Sequence, residues 1–300
     1  MKVILEENTL QLKRLKKSPN KIKEVSTYKN QHYLLFKKII NGIGLDESLI
    51  NNIRIIPFNK ELGHFGETIP VIVDNKLKFD VIFQDIILFW NDDSKHEKFN
   101  YALAIIFHEF YHCKEISITS QHLDVVNTYY NSSIDTTYKY LFSLALHQFS
   151  EYYAHYYSSK IYSESLKFHD YITDSYISLK ALSDFAKENE DVQWTLQMKN
   201  SIESFINRCV IQLARYHSTN NDEYIHLLDK YKNTNEYSKH YEYYIRLDNI
   251  LSDVFISYPK NLSEDFMINL GKDLMYIMDL FELTYSSEDL SDNFIFIHKN

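Results

Sequence analysis

Cysteine, proline, glycine and tryptophan are all scarce in this chain: two, four, five and two residues among 300. Two cysteines cannot build a disulfide framework, so a small stapled secreted domain is excluded. One of them, Cys113, falls inside an apolar helical stretch that also carries the histidine motif described below. A structural disulfide is therefore not expected, and a reducing compartment, the cytoplasm, is. With so few Gly and Pro the chain has little means of turning sharply. That weighs against a many-stranded sheet protein and favours long helices. Long apolar runs are missing too: no window approaches the ~18 uninterrupted apolar residues of a membrane span. The apolar stretch that opens the chain, Val3-Ile4-Leu5, is too short for the core of a signal peptide. No membrane association is expected.

Aromatic residues supply what the chain has in abundance. Twenty-five Tyr and nineteen Phe contribute much of its apolar volume, within an ordinary hydrophobic content of 45%. The net charge of −9 is unevenly spread: residues 1–40 hold ten Lys/Arg against three Glu, a local +7, which leaves −16 for the rest. A basic segment of this kind most often forms a solvated helix face, and no nucleic-acid motif accompanies it, so nucleic acid is not an expected partner.

Along the chain, residues 1–20 read as a basic arm or short element. Ile22 to Ile40 has apolar residues at helical spacing, closed by Asn41-Gly42-Ile43-Gly44. A small sheet follows. Its expected strands are 53–58, 71–73 and 77–83, with Asp74-Asn75-Lys76 as a hairpin turn, and 86–90 as a further strand. Alternation puts Leu77, Phe79, Val81 and Phe83 on one face. From residue 98 on, only helices are expected, at roughly 98–118, 121–131, 134–160, 163–188, 190–217, 221–231, 236–257 and 263–283. The fold class is α+β and predominantly helical, with a small antiparallel or mixed sheet near the amino terminus and an all-α carboxy-terminal region. Two domains are expected, 1–165 and 166–300.

The chemistry is stated in one run, Phe107-His108-Glu109-Phe110-Tyr111-His112, an H-E-x-x-H sequence with a helix-compatible apolar lead-in from Tyr101. Histidines four apart lie on one face of a helix, one turn from each other, so both imidazoles can bind one metal ion. Glu109 sits roughly 100° round the helix, beside such a metal and not on it, where it can take a proton from water. This is the arrangement of a zinc-dependent hydrolase, most often a peptidase. Catalytic zinc normally takes three protein ligands. The third is sought in Leu146-His147-Gln148-Phe149-Ser150-Glu151-Tyr152-Tyr153-Ala154-His155. Glu151 is a carboxylate in an otherwise apolar, aromatic helix, which is costly unless it is paired or metal-bound. His147 and His155 stand four residues either side on the same face, and either can replace it or hydrogen-bond an oxyanion. Gly63-His64-Phe65-Gly66 reads as a loop that can line the cleft, His122 lies beyond the motif, and Cys113 reads as a core thiol.

A helix and small sheet, then the HExxH helix, then a helix with Glu151 and Ala154, resembles the glutamate-ligand (gluzincin-like) zincin metallopeptidases, and among them the ImmA/IrrE type. The resemblance spans about residues 25–165. It implies a zincin-like core, one zinc per chain bound by His108, His112 and Glu151, and Glu109 as general base. Lys114 departs from the family's habit of an apolar residue two places after the second histidine. So do the 38 residues between His112 and Glu151, which an inserted helix near Gln121–Tyr130 would explain. The expected function is cleavage of peptide bonds in a protein substrate by a narrow-specificity regulatory protease. A regulatory partner could dock on the carboxy-terminal helices. The alternative is a zincin-scaffold binding protein with little or no peptidase activity.

Overall fold

In the computed structural model four strands form one sheet: β1 (Lys2–Leu5), β2 (Ile50–Ile56), β3 (Gly66–Val73) and β4 (Lys76–Gln84). The residues described are 1–15, 20–92, 94–124, 135–162, 167–188, 192–219, 232 and 238–283. The spatial order is β1-β2-β4-β3, with β1 and β4 parallel to β2 and β3 antiparallel to β4, so the sheet is mixed. The expected hairpin is present. Val73 pairs with Lys76 across a two-residue turn, and Asp74 and Asn75 both have positive φ, 52° and 58°. Asx residues tolerate that conformation, and a turn of this hand matches the twist of the flanking strands.

Alternation along β4 buries Phe79, Val81 and Phe83 on one face. In β2 the buried residues are Ile50, Ile53 and Ile55, whose spacing breaks the period of two. A register slip between Ile50 and Asn52 accounts for this: the bulge returns Ile50 to the face of Ile53 and Ile55. Two helices cover that core. Helix α2 (Lys21–Gly42) contributes Phe36, Ile39 and Ile40, and α4 (Phe99–His122) contributes Ala102, Ile106, Phe110 and Cys113. Both sets recur at three- and four-residue steps, one stripe of a helix. Phe36, Phe83 and Phe110 meet with ring centroids 5.6–6.1 Å apart, joining α2, β4 and α4 at one aromatic node.

Helix α2 ends as its sequence predicts. Gly44 takes φ +70°, Leu45 N–H donates to Ile40 O and Gly44 N–H to Asn41 O, a Schellman closure. The Lys114 amine adds a hydrogen bond to Ile43 O at 2.6 Å. This gives the unexpected lysine its reason: a cation set on the carbonyl end of a helix.

One expectation at the sheet is filled in and one is corrected. The basic arm contains the edge strand β1 and a short helix, α1 (Leu10–Leu15). Residues 86–90 are not a strand but lie in helix α3 (Asp85–Asn91). Ile86-Ile87-Leu88-Phe89-Trp90 is a continuous apolar run, which carries no period to tell helix from strand. Asp85 decides the matter. It lies in the first turn of α3, where an acidic side chain is favoured, and its buried carboxylate accepts hydrogen bonds from the backbone N–H of Leu10 and Phe58.

The remaining helices are α5 (Thr136–Ser158), α6 (Lys167–Glu188), α7 (Val192–Thr219), α8 (Ser238–Ser257) and α9 (Glu264–Leu280). The chain is thus α+β and predominantly helical. Most of the expected helix at 121–131 and all of that at 221–231 lie outside the described residues. Two compact units are present. The first is Met1–Ser117 with Tyr153–Ser163, and the second is Ile118–Tyr152 with Glu164–Asn300. Residues 118–152, expected with the sheet, group with the carboxy-terminal helices. Among the described residues, no helix is long and apolar enough to cross a membrane.

In the second unit α9 starts at a capped end: Ser263 Oγ accepts from Phe266 N–H, with Glu264 and Asp265 in the first turn. Gly271, midway along it, lies so close to α5 that a Cβ there would stand 2.4 Å from Leu141 O. Gly271→Ala must push the two backbones apart. The expected cost is about 3 kcal/mol, the upper range for overpacking, seen as a lower denaturant midpoint. An unchanged midpoint would show that the helices separate freely.

Candidate metal centre

Helix α4 places His108 and His112 one turn apart with their Nε2 atoms 2.9 Å from each other and ring planes at 87°. Both nitrogens point at the same small volume. Two nitrogens bound to one tetrahedral ion at ~2.1 Å would stand roughly 3.4 Å apart, so only a slight opening separates this pair from ligand geometry. A carboxylate oxygen of Glu151, on α5, completes a set in which all three ligand atoms lie within 4.8 Å of one another. Two imidazoles and a carboxylate are a donor set suited to a divalent metal of borderline softness. The residues present therefore fit a metal ion. Burial pushes the Glu151 carboxyl up to about 7. A cation beside it would reverse that shift by favouring the ionised form.

The other candidates divide clearly. His155, one turn after Glu151, packs its ring 4.3 Å from that of His108, centroid to centroid, yet stands outside the mutual set. His147 is exposed and is not in the set. His122 is exposed at the end of α4. His64 is an exposed loop residue whose Nδ1 lies 2.9 Å from Gly66 O. Cys113 is fully buried in the core beneath the sheet, and burial, with the charge of Glu109 adding, pushes its thiol well up. It is a core thiol, as its place on the helix predicts.

Glu109 is buried at 5% exposure, and beside it stand Thr68, which the sequence did not single out, and Gly66, from the segment expected to line the cleft. Thr68 Oγ1 lies 2.9 Å from Glu109 Oε2 and 2.9 Å from its backbone carbonyl oxygen. Gly66 passes so close that a Cβ there would stand 2.7 Å from Glu109 Cγ and 2.8 Å from Oε1. Both residues belong to β3 and, being two apart, face the same way. The loop leading into β3 is pinned by Gln84: its side-chain oxygen accepts from Asn59 N–H at 2.7 Å, and its amide donates to His64 O. One signal pointed here. In a chain with five glycines, two stand at Gly63 and Gly66, the first at φ +69° and the second with no room for a side chain.

An aromatic wall flanks this region. Tyr111 on α4 stacks on Tyr157 at 4.7 Å, and Tyr153 packs on Tyr157 at 4.8 Å. Burial raises the hydroxyls of all three, which keeps them protonated as donors. Comparison with known proteins returns no matching family model, no matching curated protein and no matching solved structure.

Proposed function

We propose that this protein is a zinc-dependent metallopeptidase of the HExxH type that hydrolyses peptide bonds in a protein substrate. One observation carries the reading: a set of two histidines and a carboxylate that can hold a metal ion, with a second, buried carboxylate next to the first histidine and held by a neighbouring strand. His108, His112 and Glu151 would hold zinc, which supplies Lewis acidity and lowers the pKa of a bound water. Glu109 would take the proton from the attacking water and pass it to the leaving amine. Thr68 holds the Glu109 carboxylate in place, and the close approach of Gly66 limits its movement. Strand β3 is an edge of the sheet, so its outer side can accept an extended substrate as a further strand.

The gluzincin-like resemblance, closest to the ImmA/IrrE type, belongs to this proposal, as does narrow specificity for a regulatory substrate. Two free, buried thiols, Cys113 and Cys209, support a reducing, cytoplasmic setting. The test is zinc analysis of the purified protein together with cleavage of a quenched peptide library. About one zinc per chain with chelator-sensitive cleavage is the expected result. Metal without cleavage of any peptide would favour the binding-protein alternative, and absence of metal would overturn both.

Gly66 provides a sharper check. Gly66→Ala sets a methyl group against the Glu109 side chain, so the carboxylate must move. A displacement of about 1 Å from productive geometry can cost on the order of 10²-fold in rate. The expected result is a loss of that size in kcat with zinc content unchanged. Wild-type kcat would show that the position of Glu109 does not matter to turnover.

A further inference from the structure

Glu151 is followed by Tyr152, which is 1% exposed and points into the helical unit. Its hydroxyl meets His217 Nδ1 at 2.6 Å, and His217 Nε2 meets Asp248 Oδ1 at 2.6 Å. The tautomer follows from the partners. A carboxylate only accepts, so Nε2 carries the proton, and Nδ1 accepts from the Tyr152 hydroxyl. Ser252 Oγ stands 3.3 Å from the same Nε2. A continuous polar chain thus crosses three helices, α5, α7 and α8, inside one compact unit.

We propose that His217 and Asp248 are positioning residues for Glu151, acting through Tyr152; this rests on Glu151 being a metal ligand. Adjacent residues on a helix point about 100° apart, so fixing the direction of Tyr152 fixes that of Glu151. Apolar packing does this poorly. The Tyr152 ring contacts the rings of His217 and Phe255 edge-on, at 5.8 and 5.4 Å, and such contacts tolerate a small rotation of α5. A hydrogen bond tolerates much less, because it weakens steeply away from linear geometry. Two further polar contacts hold the same helix to α7: Tyr140 donates to Glu203 at 2.8 Å and Asn207 to Gln148 at 3.4 Å. At Tyr152 the chain continues to a third helix through a charged group. Buried polar networks cost desolvation and specify arrangement in return. Here the arrangement specified is the rotation of α5 that aims Glu151.

The test measures zinc affinity by chelator competition alongside the thermal midpoint of the zinc-free protein. Tyr152→Phe and Asp248→Ala are each expected to weaken zinc binding about tenfold, the scale of outer-shell partners of metal ligands. Asp248→Asn keeps an acceptor for His217 and is expected to remain close to wild type. Tyr243→Phe serves as control. It removes a buried hydroxyl that donates to Leu274 O in the same unit, and it is expected to lower the midpoint without changing zinc affinity. Affinities within twofold of wild type for Tyr152→Phe and Asp248→Ala would overturn the proposal. So would an equal loss in Tyr243→Phe, which would mark a general effect of destabilisation. A wild-type protein that binds no zinc overturns the metal reading and this inference with it, a result distinct from zinc binding that ignores the chain.

Discussion

Glu109→Gln is expected to keep zinc at about one per chain and to lower peptide cleavage by ~10³-fold or more, within the range that general acid–base groups contribute. The substitution is nearly isosteric. The Gln side-chain oxygen can still accept from Thr68, which lies 2.9 Å from Glu109 Oε2, so the local packing is retained. On the proposed mechanism, what disappears is the ability to take a proton from water and return it to the leaving nitrogen. Because Glu109 is not one of the three mutually close ligand atoms, metal content should not follow activity down. Zinc analysis and kcat on the same preparation check both halves. Cleavage within a few-fold of wild type would remove Glu109 from the mechanism.

His112→Ala and Glu151→Ala are each expected to weaken zinc binding by at least ~10²-fold, beyond the ~10–100-fold typical of outer-shell partners. Each deletes one of only three ligand atoms in the set. His147→Ala should retain the metal, because that side chain is exposed and stands outside the set. His155→Ala is the informative companion, since its ring lies 4.3 Å from that of His108. Zinc lost in His155→Ala and kept in Glu151→Ala would move the third ligand one turn along α5. Competition with a chelator at fixed pH is the measurement, because ligand protonation otherwise enters the affinity.

Much of this architecture is legible in the sequence alone. The stripes of α2 and α4 repeat at three and four residues, and a helix buries one such stripe whatever its surroundings. The Asp74-Asn75 hairpin was equally plain, because few residues accept its positive φ angles. Two elements were not legible for the same reason: local pattern carried no period. Ile86 to Trp90 is apolar throughout, and only the bonds from Leu10 and Phe58 to Asp85 mark it as the start of a helix. Strand β1 is four residues long in a basic segment, and its pairing partner lies some fifty residues away at Asn52–Ile55. Short strands are set by the partner strand, not by their own composition.

The candidate site divides along the same line. By itself the sequence determined the HExxH pair, the role open to Glu109, and a choice of Glu151, His147 or His155, since all of these rest on spacing within one helix. Tertiary structure brought a carboxylate oxygen of Glu151 into one close set with the two histidines, brought Gly66 and Thr68 of β3 against Glu109, and linked Tyr152 to His217 and Asp248. The physical reason is that helical periodicity tells which side chains share a face but not which way that face turns. That rotation is set only when distant segments pack and their buried polar groups find partners.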